Sequence, residues 1–502
     1  MKKLIALLLI LFSLVSSACA EWPMEDSYNW YEVFVWSYQD ADGDGVGDLP
    51  GLISRLDYIA DMGYSGLWLM PIMPSPTYHK YDVTDYMAVD PVYGTVDDFK
   101  ALVDGAHARG IRVIIDLPVN HSSSRHPWFL AACDALRAGR TDDPYIDYYH
   151  FTQQQGQKTV QVAGTDWYYE EQFSGGGMPD LNLDNPALME EIRRIMAFWL
   201  EACGVDGFRL DAVTSFYTGD TAKNVAKLDE LKRIAESIKP GSSLVAEAWV
   251  GLETIAEYYA SDVDSFFLFP VSQAEGYIVR ALRSRGKPAS TYVDYMQKID
   301  AAIPADPILA PFLCNHDTGR TVPALQARSA PAKAKFAEGV LNMMRGNVFT
   351  YYGEEIGMVG SGDDPNKRLP MYWNDGDMTL NPPGVTKVEY AYPCADEQLA
   401  DPASLMNYCR AVNHVRLKHP AIARGENEYV HVDDWTCVMK RTLGEEQVYI
   451  AMNFSSSKPQ TVALPAEELA IADDLETGAE SAAIDGTTLA LPPYHWSTHS
   501  SR

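Results

Sequence analysis

Between about residue 29 and residue 420 the chain alternates short apolar runs with stretches of helical periodicity. Eight runs read as strands, at 30–38, 66–71, 113–119, 205–212, 244–249, 266–271, 308–314 and 348–352. Helical patterns fall between them, among others at 96–109, 186–203, 224–238, 292–303 and 332–344. A helix that returns the chain between two strands makes those strands parallel, with right-handed crossovers. Eight such units close into an α/β fold, a (β/α)8 barrel whose chemistry sits at the C-terminal rim. The alternative is a doubly wound open sheet. That fold calls for a phosphate-cradling GxGxxG after its first strand, and none stands there.

Two regions depart from the rhythm. Some sixty residues between Asn120 and Leu183 show no clear helix and are rich in aromatics and glycine, as in Trp167-Tyr168-Tyr169 and Gly175-Gly176-Gly177. A structureless loop of that length is improbable, so 121–183 reads as an inserted domain after the third strand. From about Gly425 the period becomes two, over 428–432, 436–440, 447–453, 460–464 and 488–491, which predicts an all-β C-terminal sandwich over 425–502. The barrel is then expected over 21–120 and 184–424.

Residues 1–20 have the form of an export signal: Lys2 and Lys3, an apolar stretch, then Ala18-Cys19-Ala20. Ser17-Ala18-Cys19 also resembles a lipobox, which would place a lipid anchor on Cys19. The expected location is outside a bacterial cytoplasm: extracellular, periplasmic or anchored at the cell surface. No later run has the length and apolarity of a membrane span. A formal charge of −29 argues against nucleic acid or an anionic membrane as partner and suits a neutral ligand. The cysteines after Cys19 show neither metal-type spacing nor a disulfide framework. Buried free thiols are expected, with a Cys394–Cys409 bridge as the alternative.

Three of the predicted strands end in a carboxylate: Gly207-Phe208-Arg209-Leu210-Asp211, Leu244-Val245-Ala246-Glu247, and Phe312-Leu313-Cys314-Asn315-His316-Asp317. Converging at one rim, they make an acid–base and nucleophile set. Asp211 is the candidate nucleophile. Arg209, two residues earlier on the same strand face, would keep it ionised. Glu247, after an apolar run and near Trp249, is the candidate general acid/base. Retaining cleavage of a glycosidic bond needs two such carboxyls, one to attack the anomeric carbon and one to protonate the leaving oxygen; in that chemistry Asp317 and His316 would bind sugar hydroxyls. A second signal is Asp40-Ala41-Asp42-Gly43-Asp44-Gly45-Val46-Gly47-Asp48, with side-chain oxygens at positions one, three, five and nine and a carbonyl at seven. That is the pattern of a Ca2+ loop. Gly51 at position twelve, where a helix-loop-helix sensor carries Glu, excludes that sensor class.

The chain resembles the α-amylase family of retaining α-glucosidases and transglycosidases, glycoside hydrolase family 13. Asp116-Leu117-Pro118-Val119-Asn120-His121 resembles its first conserved region, and the segments ending in Asp211, Glu247 and Asp317 resemble the next three. The resemblance implies a catalytic triad of these three carboxylates, with His121, Arg209 and His316 at the −1 sugar. It also implies that Tyr81 stacks on that sugar and that Asp82 binds its hydroxyls. The acidic loop resembles the structural calcium loop of oligo-1,6-glucosidase-like members. Asn120 and Asp180 match a second calcium position in many α-amylases, but no Lys-His pair follows Asp211, which counts against that ion. Met178-Pro179-Asp180-Leu181-Asn182 resembles an intermediate form of the fifth region, found in extracellular bacterial α-amylases. Ala212 matches α-1,4-acting members, and Lys367-Arg368-Leu369-Pro370 resembles a rim segment of the oligoglucosidase branch. The expected activity is endo-hydrolysis of α-1,4 bonds in starch or a malto-oligosaccharide. The alternatives are an exo-acting α-glucosidase or transglycosidase and, of another class, a non-catalytic starch-binding protein.

Overall fold

β1 (Asn29–Val33) pairs in parallel with β2 (Gly66–Leu69) on one side and with β8 (Val348–Tyr351) on the other, which closes the sheet. The ladder continues through β3 (Arg112–Leu117), β4 (Gly207–Leu210), β5 (Ser243–Ala246), β6 (Ser265–Phe267) and β7 (Ile308–Ala310), and a parallel bridge from Phe312 to Phe349 joins the last two strands. This computed structural model describes residues 29–173, 175–304, 306–465, 469–478 and 480–501. The predicted export signal and Cys19 lie outside them. All eight predicted barrel strands form, each shorter than its apolar run. The run starting at Trp30 leaves the sheet at Val33 and turns into a short 3-10 helix over Val35–Ser37. Its apolarity persists because Phe34 and Val35 are buried beneath the rim loops.

Alternation along the strands explains why whole runs are apolar. Trp30, Trp68, Ile114, Val245, Phe267 and Phe349 point inward and plug the lower barrel. Their neighbours Tyr31, Leu67, Leu69, Val113 and Ile115 face the helices. Two residues above the plug the inward column turns polar, with Glu32 after Trp30 and Asp116 after Ile114. Both are buried. A Cβ at Gly207 would lie 1.9 Å from the carbonyl oxygen of Ser243, so the β4–β5 approach requires glycine.

The inserted segment, where the sequence shows no clear helix, holds one over Pro127–Arg137. Pro127 starts it, His126 Nδ1 accepts from the N–H of Trp128, and Phe129, Ala132, Cys133 and Leu136 are its buried face. A small antiparallel sheet follows, with Tyr168–Glu170 between Phe151–Thr152 and Thr159–Gln161. Bridges His121–Asp180 and Tyr149–Leu181 fasten the two ends of the insert together.

The C-terminal region is a sandwich of one five-stranded and one three-stranded antiparallel sheet. Three of its strands, Leu469–Leu475, Ala483–Asp485 and His495–Ser501, lie outside the runs expected from the sequence, and the first and last lack period-two alternation. The larger sheet is buried on both faces. Val438 and Ala451 pack against Val462, Leu489 and Leu491 of the smaller sheet, whereas Cys437, Met439, Ile450, Met452 and Trp496 join the barrel's outer core. Trp496 Nε1 donates to the Tyr408 hydroxyl at 2.7 Å, on helix Leu405–Lys418. The six cysteines among the described residues are buried free thiols, so Cys394 and Cys409 are not bridged. Among the described residues no helix is long and apolar enough to cross a membrane.

Candidate active site

Asp211 and Glu247 meet at one guanidinium. Arg209 reaches up the inner face of β4, fully buried. Its Nη1 donates to Asp211 Oδ1 at 2.7 Å and to Asp116 Oδ1 at 2.6 Å, and its Nη2 lies 3.1 Å from Glu247 Oε2. Three carboxylates around one permanent cation need that cation to be buried at all. Burial dominates the two deeper acids, pushing Asp116 up to about 6 and Glu247 up to about 8 against the pull of Arg209. Directly after Asp211, Ala212 adopts a left-handed conformation (φ 48°, ψ 39°) that turns its N–H onto Glu247 Oε2 at 3.0 Å. Trp249 does not supply Glu247's apolar surroundings. It is half-exposed and stacks on Phe269 at 4.7 Å.

Asp317 completes the floor. Burial opposes its charge, but His316 Nε2 at 3.0 Å and Arg368 Nη2 at 2.9 Å hold it far below the usual carboxylate range. Lys367 Nζ donates to the Asp317 carbonyl at 2.8 Å and to Asp364 at 2.8 Å. Burial works against a charge on His316, yet Asp317 and Glu32 together raise it to about 9. Tyr81 stacks on the His316 ring, with centroids 5.6 Å apart, and its hydroxyl donates to Asp116 Oδ2 at 3.1 Å.

These groups open into a cavity of about 470 Å3. Asp211, Glu247 and Asp317 form its floor, and Tyr81 and His121 one wall. The insert supplies Phe173 and Met178, and Trp249 stands at the rim. His121 is buried, burial lowers its affinity for a proton, and its Nε2 has no partner in the protein. Arg209 and His316 lie beneath the floor as supports. Asp82 does not line the cavity. Its carboxylate accepts from the hydroxyls of Ser75 (2.6 Å) and Thr77, so it braces the loop that carries Tyr81.

The family model described as the α-amylase catalytic domain matches residues 32–425. The chain belongs to the α-amylase family. It is 38% identical over 433 residues to α-amylase 3 of Dictyoglomus thermophilum, covering 85% of this chain and 84% of that one. It is 34% identical over 472 residues to a trehalose synthase/amylase of Mycobacterium tuberculosis, covering 79% and 75%. The solved structure of Eubacterium rectale Amy13B superposes with a TM-score of 0.91 at 39% identity, covering 96% of both chains.

In this α-amylase-family chain the acidic loop folds as a tight knot between β1 and helix Leu49–Ser54. Asp40, Asp42 and Asp48 each bring a carboxylate oxygen within 4.8 Å of the others. Backbone N–H groups of Gly43 and Gly45 donate to Asp40 at 2.7 Å each, and Asp48 caps the helix through the N–H of Gly51 at 2.6 Å. Asp44 stands outside the triplet and accepts from the N–H of Val46 at 2.7 Å. Three converging carboxylates suit a hard divalent cation with oxygen ligands. Asn120 and Asp180 form no such cluster. Asn120 Nδ2 is 3.5 Å from Asp180, which accepts from the Gln172 N–H at 3.0 Å and is pushed up to about 7 by burial.

Of the groups that support the active-site floor, no motif in the sequence points to Glu32, and Arg368 is placed only within a segment resembling a rim stretch, without its contact to Asp317. Glu32 is a lone acid in an apolar strand, a signal in itself, since a carboxylate inside a barrel needs a partner. Arg368 comes from a connection without periodicity. That connection is stapled to the acidic loop's neighbourhood: Ser37 Oγ donates to the Arg368 carbonyl at 2.7 Å, Trp373 Nε1 to the Tyr38 carbonyl at 2.7 Å, and the Leu380 N–H to the Gly45 carbonyl at 2.7 Å.

Proposed function

We propose that this chain is an exported, endo-acting α-amylase that hydrolyses α-1,4-glucosidic bonds of starch and maltodextrins with retention of configuration. The observation that carries the reading is the single buried guanidinium of Arg209 touching both Asp211 and Glu247 at the floor of an open cleft. Retaining glycosidases need two carboxyls close enough for one to attack while the other protonates.

Asp211 attacks the anomeric carbon, and Glu247 gives its proton to the departing glycosidic oxygen. The covalent glycosyl-Asp211 intermediate forms as that bond breaks. Glu247, now a carboxylate, takes a proton from water, whose oxygen attacks the anomeric carbon and releases Asp211. The high proton affinity of Glu247 suits the first step, and Arg209 steadies its anion before the second. Asp317 and His121 bind hydroxyls of the sugar at the cleaved bond, Tyr81 offers its ring face, and His316 supports Asp317 and Tyr81 from beneath. Phe173 and Trp249, each partly exposed at the cleft rim, supply stacking surfaces for further sugars.

Asp40, Asp42 and Asp48, with Asp44 and the carbonyl of Val46, would hold calcium. The ion's part is to neutralise the repelling carboxylates and fix the loop. Export is supported by the pattern of residues 1–20, which leaves a lipid anchor at Cys19 as part of the same reading.

The similarity to a trehalose synthase/amylase favours transfer to a sugar acceptor as the second reading. The intact carboxylate set counts against a purely starch-binding protein. Maltoheptaose digestion with anomers followed in the first minutes tests the assignment. The α-anomer appearing first, with products of several lengths, is the expected outcome. An initial β-anomer overturns retention, and glucose as sole early product overturns endo action.

A further inference from the structure

Glu32 sits in the middle of β1, 1% exposed, two residues above Trp30 of the apolar plug. Its Oε1 is 2.5 Å from Nδ1 of His316. The opposite ring nitrogen, Nε2, lies 2.7 Å from the Tyr81 hydroxyl and 3.0 Å from Asp317 Oδ2. The Tyr81 proton is directed to Asp116, which leaves the Tyr81 oxygen as an acceptor. Both nitrogens of His316 therefore face acceptors. A neutral imidazole carries one N–H and satisfies one side only, whereas the imidazolium donates on both.

We infer that Glu32 is a positioning residue of the hydrolytic site: it holds His316 as an imidazolium whose Nε2–H clamps Asp317 and Tyr81 in the geometry that receives the sugar. The inference rests on the hydrolytic reading above.

The physical requirement is mutual. A carboxylate at 1% exposure is costly without a charged or hydrogen-bonding partner. A protonated His beneath a carbohydrate site is equally costly without more than one acid. Glu32 supplies the second acid from the side remote from substrate, so Asp317 keeps one oxygen for Arg368. The groups around the ring come from every element packed on it. They are Glu32 from β1, Tyr81 from the loop after β2, Asp116 from β3 behind it, and Arg209 from β4 at 3.4 Å from the Tyr81 oxygen. Asp317 follows on the ring's own loop, and Arg368 Nε donates to the His316 carbonyl at 3.2 Å. Cys314 and Tyr351, near Glu32, are held protonated by burial. The acids therefore outnumber the cations around the ring, and Glu32 is the one in direct contact with Nδ1.

Glu32→Gln keeps the size and an acceptor oxygen for Nδ1–H but removes the charge. With maltoheptaose, kcat/KM is expected to fall less at pH 6 than at pH 8, because protonation of the ring at low pH restores part of the clamp. The basic limb of the profile is expected to move down by about one pH unit or more, as His316 now loses its proton before Glu247 does. Glu32→Asp, which keeps the charge but withdraws it, is expected to shift the limb part of the way. A loss by the same factor at every pH, with the limb unmoved, overturns the inference and leaves Glu32 a packing residue. Should either variant fail to fold, 15N-histidine NMR of the parent decides. A His316 ring protonated at both nitrogens at pH 7.5 is expected, and a neutral ring overturns the inference. Failure of the hydrolytic reading is separately visible, as a parent protein that cleaves no α-glucan whatever the state of its histidine.

Discussion

The backbone N–H of Ala212 donates to Oε2 of Glu247 at 3.0 Å, from a left-handed conformation that a residue with a Cβ adopts at a cost of about 1–2 kcal/mol. The strain buys an aimed donor: the residue after the proposed nucleophile steadies the proposed acid/base. Strain of this kind concentrates at functional sites. Despite that donor and Arg209, burial wins, and Glu247 keeps its proton to about pH 8.

The pH profile follows from that balance. A general acid must be protonated, so kcat/KM should be level just below pH 8 and fall about tenfold per unit above it. Glu247→Gln should lose several orders of magnitude on maltoheptaose but retain formation of the glycosyl intermediate from α-glucosyl fluoride, whose leaving group needs no proton. Stopped-flow release of fluoride checks this. Equal losses on both substrates would remove Glu247 from the acid role.

Asp211→Asn removes the attacking oxygen while leaving Arg209 its contact with Asp116 at 2.6 Å. Turnover should drop by several orders of magnitude. The melting temperature should change by only a few degrees. Unchanged turnover would remove Asp211 from the nucleophile role, whereas a parent with no turnover and a variant with unaltered starch affinity would point to a binding protein.

Gly207→Ala places a methyl group 1.9 Å from a backbone carbonyl of the adjoining strand. Overpacking of this kind costs about 3 kcal/mol or more where the partner is a ladder rather than a flexible side chain. Urea unfolding should show that loss, and Ser243→Gly should not rescue it, because the clash is with the main chain.

Chelation tests the acidic loop. An ion present at about a hundredfold over its dissociation constant stabilises by about 2.7 kcal/mol, so EDTA should lower the melting temperature by a few degrees and calcium should restore it. Asp42→Ala should abolish the response. The staples from residues 368–380 to this region predict that chelation also weakens the hold of Arg368 on Asp317 and so slows turnover.

The barrel was readable because burial on both faces turns each strand into a continuous apolar run. The proposed catalytic carboxylates were readable because each closes such a run. The helix Pro127–Arg137 escaped because its apolar face is narrow and its flanks are loop-like. Strands Leu469–Leu475 and His495–Ser501 escaped because one carries consecutive aspartates and the other is mostly hydroxyl and imidazole. Asp82 was drawn into the sugar site by its place beside Tyr81, although a neighbour in sequence points the other way once the loop turns. Arg368 and Glu32 depend on contacts across 51 and 284 positions, distances at which no local pattern speaks.

The five-stranded sheet has a further consequence for anyone dissecting this molecule. One of its faces is walled in by helices Leu405–Lys418 and Pro331–Asn342, with Trp496 wedged against Tyr408. Stopping the chain after Gly425 would strip a greasy flank from the very helices that brace β8 and β1. The last 77 residues of the polypeptide are thus a retaining wall of the hydrolase rather than an appendage, and a shortened version should come out of the cell as aggregate.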